Sequence, residues 1–244
     1  MKTMFFLGLD LGQANDWTAL AIVQPHQRPP LKDWIPPSRW YGKKPQPPPE
    51  CVAPPIEFHL RHLERLKREM PYPDQVRYVL ERLRSPALAG LSELVVDATG
   101  VGRPVVDLFR EKRVKRLTPI TITGGLKVSH DDEGWHVPKR DLVILTQVLL
   151  QQGRLKIADR IPLKEKFKQE LMAFKVKIDP LTANDSYGAG REGAHDDIVL
   201  AVTLAVWRAA KMCGALDLQI GGFPQSGRRF ATPKSDADGD MVGR

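Results

Sequence analysis

The chain has 244 residues, 42% of them hydrophobic, and its 37 Lys and Arg against 29 Asp and Glu give a formal net charge of +8. This length and composition are enough for a buried core and too apolar for a disordered chain. The sequence contains no apolar run near the ~20 residues of a membrane span. The two cysteines exclude a disulfide scaffold and a cysteine-based zinc site, and the basic balance favours an anionic partner such as nucleic acid.

The first part of the chain predicts a small meander interrupted by prolines. Residues 3–10 and 19–24 have the pattern of two strands joined by a turn, and a third strand begins at Ile56. Between them, residues 25–55 hold 11 of the 21 prolines. Since proline fixes φ and donates no backbone hydrogen bond, this segment is predicted to be a long irregular insertion, neither central strand nor helix.

The middle of the chain alternates helices and strands. The spacing of apolar residues predicts helices over 73–84, 102–113, 139–150, 163–174 and 195–211, and strands over 94–97 and 118–123. Residues 181–193 are polar and contain glycines, which predicts a loop. The order implies a mixed sheet with helices on both faces.

One domain is predicted over residues 1–213. From about residue 214 the composition changes to Gly, Pro, Ser and charged residues, which predicts a loosely ordered C-terminal tail over 214–244.

Acidic residues stand at the ends of predicted elements. Asp10 and Asp97 each end an apolar strand, and Asp196 and Asp197 open the last helix. An unpaired buried carboxylate is costly, and ligands of α/β sheets bind at the carboxyl ends of strands. An acid at a helix N-terminus can also simply cap the helix, so a capping role remains open for one of Asp196 and Asp197.

Carboxylates brought together at one edge of a sheet repel each other unless a cation neutralises them. Mg²⁺ and Mn²⁺ prefer such hard oxygen ligands and leave positions for water and phosphate. The acids Asp10, Asp97, Asp196 and Asp197 are therefore predicted metal ligands, for two ions that would act on a phosphodiester.

Several motifs resemble the nuclease domain of phage terminase large subunits. They are Leu9-Asp10-Leu11-Gly12, Val95-Val96-Asp97-Ala98-Thr99-Gly100-Val101-Gly102, Thr121-Ile122-Thr123-Gly124-Gly125, Val137-Pro138-Lys139-Arg140-Asp141-Leu142 and Glu192-Gly193-Ala194-His195-Asp196-Asp197. The resemblance runs from about residue 4 to 212. It implies an α/β, ribonuclease H-like fold with a mixed five-stranded sheet of order 3-2-1-4-5, strand 2 antiparallel, flanked by helices.

The resemblance also implies roles for individual residues. Asp10 and Asp97 match the first and second catalytic acids, and the third comes from the pair Asp196-Asp197. We favour Asp197 as the ligand, with Asp196 behind it or as a further ligand. His195 is a candidate for orienting a carboxylate or contacting phosphate, and a cap or core role is equally open.

The implied function is a two-metal-ion endodeoxyribonuclease that cuts concatemeric viral DNA during genome packaging in the host cytoplasm. The expected partners are double-stranded DNA, a separate packaging ATPase, and portal or small terminase proteins, with no membrane contact. No G-x-x-x-x-G-K-[ST] motif occurs in the sequence, so P-loop ATP hydrolysis is expected to belong to another chain, unless the sequence is a fragment or a stand-alone nuclease.

Basic residues near the ends of two predicted helices are candidates for phosphate contacts, although for any single residue a solvated basic face is the better explanation. These candidates are Arg110, Lys112, Arg113, Lys115, Arg116, Lys139 and Arg140.

Three other functions remain open from the sequence. A Holliday-junction-resolvase-like nuclease would use the same fold on four-way junctions. A non-catalytic DNA-binding packaging module would bind DNA without cutting it. An actin-like ATPase would use Asp10-Leu11-Gly12 and Asp97-Ala98-Thr99-Gly100 as phosphate loops, but leaves Asp196 and Asp197 without a role.

Overall fold

A computed structural model describes residues 4–12, 16–35, 46–178, 185–189 and 196–215. Within these ranges the strands are β1 Phe5–Asp10, β2 Ala19–His26, β3 Glu57–Arg65, β4 Ser92–Asp97, β5 Leu117–Thr123, β6 Ser129–His130, β7 Trp135–Pro138, β8 Leu155–Ile157, β9 Phe174–Ile178 and β10 Asp185–Ala189. The helices are α1 Tyr72–Leu83, α2 Gly102–Glu111, α3 Lys139–Gln151, α4 Lys164–Ala173 and α5 Asp197–Met212.

The central sheet contains the predicted five strands and three more. Its order is β6-β7-β5-β4-β1-β2-β3-β8, so the predicted sequence 3-2-1-4-5 lies in the middle. Strand β2 is antiparallel to both of its neighbours, whereas β1, β4, β5 and β7 run parallel. The prediction of five strands was wrong in number because β6, β7 and β8 have two to four residues each, too few to show a period.

Two further differences concern the segments predicted to be irregular. Strand β2 extends through Pro25, which pairs with Phe58, and a short 3-10 turn covers Pro49–Cys51. Residues 36–45 of the Pro-rich insertion lie outside the described ranges. The loop predicted over 181–193 is partly wrong, because residues 185–189 form β10 and pair with β9 in an antiparallel two-stranded sheet. The predicted tail lies outside the described residues from residue 216 onward.

The faces of the sheet are set by the alternation of side chains along each strand. Leu7 and Leu9 of β1 pack with α1 and α2 on one face, whereas Phe6 packs with α3, α4 and α5 on the other. Gly8 lies on the α5 face, where an added Cβ would stand 2.0 Å from the carbonyl oxygen of Ala201. The missing side chain therefore lets the apolar helix α5 lie directly against β1.

A buried ion pair fixes α5 along the sheet. Arg208 near the end of α5 donates a hydrogen bond from Nε to Glu93 of β4, which also accepts one from the Thr118 hydroxyl at 2.6 Å. Because breaking a buried pair leaves an uncompensated charge, this contact holds the register of α5 against β4. In the described part of the chain, no helix combines the length and apolar character needed to cross a membrane.

Candidate active site

Asp10 and Asp97 meet at the carboxyl edge of the sheet. They end the adjacent parallel strands β1 and β4, and the alternation of side chains turns both toward the α5 face. Asp10 is 8% exposed, and a side-chain hydrogen bond that it shares with Asp97 raises the pKa of Asp10 and lowers that of Asp97. The predicted juxtaposition of two strand-end acids is therefore present.

The acids of α5 complete this cluster. Asp196 stands at the N-cap position of the helix without capping it through its side chain, and Asp197 is the first helical residue. Burial, followed by the charges of Asp97, Asp196 and Asp197, raises the pKa of Asp10 well above its usual range. The other three acids thus all act on Asp10, and the cap reading of Asp196 has no side-chain hydrogen bond to support it.

Asp97 is held in place by its own turn. Its Oδ1 accepts a hydrogen bond from the backbone N–H of Thr99 at 2.8 Å, and an added Cβ on Gly102 would stand 1.8 Å from the Asp97 carbonyl oxygen. Burial raises the pKa of Asp97, while Thr99, Asp10 and the positive charge of Lys139 each lower it. The glycine at the start of α2 is therefore required for the close approach of helix and strand end.

The two acids of α5 are each paired with a protein cation. Arg65, at the end of β3, donates from Nε to Asp197 Oδ2 at 2.7 Å and from Nη2 to Oδ1 at 2.8 Å. Lys139 Nζ, at the start of α3, donates to Asp196 Oδ2 at 2.7 Å. The first pair is bidentate and buried, whereas the second is a single contact with about a quarter of each side chain exposed.

Glu170 of α4 extends the network behind Asp197. It accepts a hydrogen bond from Arg65 Nη2 at 2.8 Å and is 7% exposed, and its second oxygen has no partner among the described residues. Burial and the Asp197 charge raise the pKa of Glu170 to about 7, although Arg65 acts in the opposite direction.

These ion pairs bear on metal binding. No three His, Cys, Asp or Glu side chains within the described ranges are arranged to hold a metal ion as they stand. Asp10 and Asp97 share a hydrogen bond with each other, whereas Asp196 and Asp197 are engaged by Lys139 and Arg65. A third carboxylate ligand taken from α5 would therefore come from an acid that already binds a protein cation.

No family model matches the sequence, and neither does any curated protein. Solved structures do match. The large terminase nuclease of the thermophilic phage G20c aligns with a TM-score of 0.52 and 18% identity, over 84% of this chain and 82% of that one. The chain has the fold of a large terminase nuclease. The fold class implied by the sequence motifs is thereby confirmed.

Two other solved structures are similar at lower scores. The large terminase nuclease domain of bacteriophage SPP1, with bound Mn, has a TM-score of 0.46 and 9% identity over 84% of this chain and 86% of that one. The human cytomegalovirus terminase nuclease domain, soaked with Mn, has a TM-score of 0.44 and 12% identity over 84% and 83%.

The predicted basic residues fall into three sets. Lys139 and Arg140 lie at the acidic edge, where Arg140 Nε contacts Asp141 at 3.3 Å. Arg110 pairs with Asp107 one turn earlier in α2. The remaining residues line a cleft of about 480 Å³ and are Lys112, Arg113, Lys115 and Arg116. This cleft lies beside the end of α1 and the start of β4, at the opposite end of the sheet from Asp97. His195 lies outside the described residues.

Arg65 and Glu170 are site residues that the sequence reasoning missed. Arg65 could have been found from the sequence. It lies two residues after the core residue Leu63, so its side chain is on the same face of β3, and it ends that strand as Asp10 ends β1. Glu170 carries no comparable signal, because it is one of several charged residues in an amphipathic helix.

Proposed function

We propose that this chain is a metal-dependent DNA endonuclease of the terminase type. The observation that carries the proposal is the meeting of Asp10 and Asp97 on adjacent parallel strands, opposite the two acids that open α5. Each of the other three carboxylates raises the cost of ionising Asp10, so grouping them is unfavourable for the fold alone. A purely structural role therefore does not account for this arrangement.

The residues present fit a divalent cation. The donor set consists of carboxylate oxygens, which suit Mg²⁺ or Mn²⁺. Burial raises the pKa of Asp10, and the negative charges of Asp97, Asp196 and Asp197 raise it further, so a bound cation would favour its ionised form. We propose Asp10, Asp97 and one acid of α5 as the ligands of one or two ions. Bound there, such ions supply Lewis-acid polarisation of the phosphodiester and a water of lowered pKa.

Within the α5 pair, we propose Asp196 as the third ligand and Asp197 as the residue that orients it, which revises the preference drawn from sequence. Arg65 binds both oxygens of Asp197, so that carboxylate has no free edge directed at a metal. Asp196 is engaged through one oxygen within the described ranges, and it is more exposed than Asp197. Arg65 and Glu170 then hold the start of α5 in place while Asp196 faces Asp10 and Asp97.

Double-stranded DNA is the proposed substrate, with a separate packaging ATPase and portal or small terminase proteins as proposed partners. The acidic edge by itself repels phosphate. Lys139 and Arg140 are the cations placed to offset this repulsion close to the acids.

A plasmid-cleavage assay with Mn²⁺, Mg²⁺ or EDTA tests the proposal. We expect relaxation of supercoiled DNA only with metal, and its loss in Asp97→Asn and Asp196→Asn variants that fold normally. Asp197→Asn is expected to lose stability as well, because Arg65 loses its bidentate carboxylate partner. The matched control is Asp159→Asn, which changes an almost fully exposed carboxylate.

Cleavage at the wild-type rate by Asp97→Asn would refute the assignment of the site. A non-catalytic DNA-binding module is the second candidate, favoured by the ion pairs that engage both acids of α5. DNA binding without cleavage under any metal condition would support that candidate instead.

A further inference from the structure

Lys139 occupies a position that disfavours a cation unless an acid holds it. It is the first residue of α3, where the helix dipole presents positive partial charge, and Pro138 before it makes no side-chain cap. The contact that offsets this cost is the hydrogen bond from Nζ to Asp196 Oδ2 at 2.7 Å. The ammonium is therefore held at this edge by the acidic cluster.

The Lys139 ammonium also acts on a second acid of the cluster. Burial raises the pKa of Asp97, and the Lys139 charge acts against that rise. Asp97 also shares a hydrogen bond with Asp10. The Lys139 ammonium thus hydrogen-bonds to Asp196 and acts on Asp97 through its charge, as a cation bound between carboxylates would.

The two cations of the site differ in how readily they can leave. Arg65 makes three hydrogen bonds with Asp197 and Glu170, so its release would strand two buried acids. Lys139 donates one hydrogen bond to Asp196, its side chain is 24% exposed, and its ammonium is a compact charge on a flexible stem. Release of Lys139 from Asp196 would therefore uncover a carboxylate that is already 27% exposed, instead of stranding two buried acids.

We propose that Lys139 is an exchangeable internal counter-ion: it neutralises Asp196 in the metal-free protein and leaves when a divalent cation binds to the acids. The inference rests on the nuclease function proposed above. Since an ammonium and a divalent cation repel at adjacent positions, the two occupy the cluster alternately, and metal affinity is set by competition with Lys139.

Calorimetric titration with Mn²⁺ in the absence of DNA tests the exchange. We expect Lys139→Gln to bind Mn²⁺ about tenfold or more tightly than the wild type, because the competing cation is gone. Lys139→Arg keeps a cation and is expected to stay close to wild-type affinity. Lys164→Gln is the matched control, because Lys164 also opens a helix, is 23% exposed and donates a hydrogen bond to an aspartate, Asp159, and it is expected to change affinity less than about twofold.

Thermal unfolding supplies a second readout that a purely structural lysine would not reproduce. Without metal, Lys139→Gln is expected to unfold at a lower temperature than the wild type, because Asp196 loses its counter-ion. With saturating Mn²⁺, the difference is expected to disappear, since Lys139 has already left Asp196. A deficit that persists with metal would overturn the exchange.

The outcomes separate the two proposals. Mn²⁺ affinity that is unchanged or weaker in Lys139→Gln, together with metal-dependent cleavage by the wild type, would overturn the exchange and leave the nuclease standing. Failure of the wild type to bind Mn²⁺ would overturn both.

Discussion

At the scale of single residues, the acidic edge contains acids whose ionisation is unfavourable. It also contains two cations that are held by the acids of α5 to different degrees. Asp10 and Glu170 both have a raised pKa, and in both cases burial is the largest cause. Arg65 binds Asp197 tightly, while Lys139 binds Asp196 through one contact. Burial therefore opposes the ionisation of Asp10 and Glu170, and the cation that we propose to bind at this site would offset that cost.

Glu170 predicts a pH dependence of stability. The folded protein holds this proton up to about pH 7, whereas an ordinary glutamate releases it near 4.5. The associated stability is complete below the unfolded pKa and is lost as pH rises through the folded pKa. We expect Glu170→Gln, which cannot ionise, to gain stability relative to the wild type as pH rises from about 5 to about 8.

Urea unfolding of the metal-free proteins at the two pH values measures this difference. Glu165→Gln, an exposed change on the same helix, is the control and is expected to show no such trend. An equal difference between Glu170→Gln and wild type at both pH values would contradict the prediction.

At the scale of elements, the site depends on how closely α5 approaches β1. A Cβ on Gly8 would stand 2.0 Å from the carbonyl oxygen of Ala201, a backbone atom that cannot rotate away. We expect Gly8→Ala to destabilise the protein by about 1–3 kcal/mol, as overpacking does. Because α5 carries Asp196 and Asp197, cleavage is expected to fall even at temperatures where the variant is folded.

Gly124→Ala is the matched control for Gly8→Ala. No atom lies within 4 Å of a Cβ added there, so stability and cleavage are expected to stay near wild type. Denaturant unfolding of both variants tests the comparison, and equal effects of the two substitutions would refute the role of close helix packing.

At the scale of the whole molecule, opposite charges are separated along the sheet. The acids lie at the carboxyl ends of β1 and β4, on the α5 face. The cleft lined by Lys112, Arg113, Lys115 and Arg116 lies beside Ser92 at the other end of β4, about 17 Å away at ~3.3 Å per residue, near α1 and α2. Of the basic residues predicted from sequence to contact phosphate, Lys139 and Arg140 therefore lie nearest the proposed chemistry.

Metal binding is expected to stabilise the whole fold, because the acids come from β1, β4 and α5. At a free Mn²⁺ concentration of about 100 times the Kd, linkage gives ~2.7 kcal/mol, which corresponds to a Tm increase of about 5–10 °C for a domain of this size. Asp10→Asn is expected to lose most of this increase and, without metal, to unfold at a higher temperature than wild type, since a repelling charge is removed.

Thermal scans with Mn²⁺ and with EDTA check this prediction, and Asp159→Asn serves as the exposed control. The same Tm increase in Asp10→Asn as in wild type would place the bound metal elsewhere in the molecule.

The sequence by itself determined the central strands, their helical partners and the position of the acids. Apolar runs that end in an acid located Asp10 and Asp97, and the same side-chain period turned both toward one face, because alternation along a strand is a local property. The glycines at 8 and 102 were visible in sequence, but the close approaches that require them appeared only in three dimensions.

Only the tertiary structure decided which groups neutralise the acids. Arg65 lies 132 residues from Asp197 and Lys139 lies 57 residues from Asp196, and no local pattern encodes such pairings. The short strands β6, β7 and β8 likewise exist because the neighbouring edge of the sheet offers hydrogen bonds to them. Chain periodicity specifies what a segment buries, whereas the partner of a buried charge is specified by which segments the fold brings together.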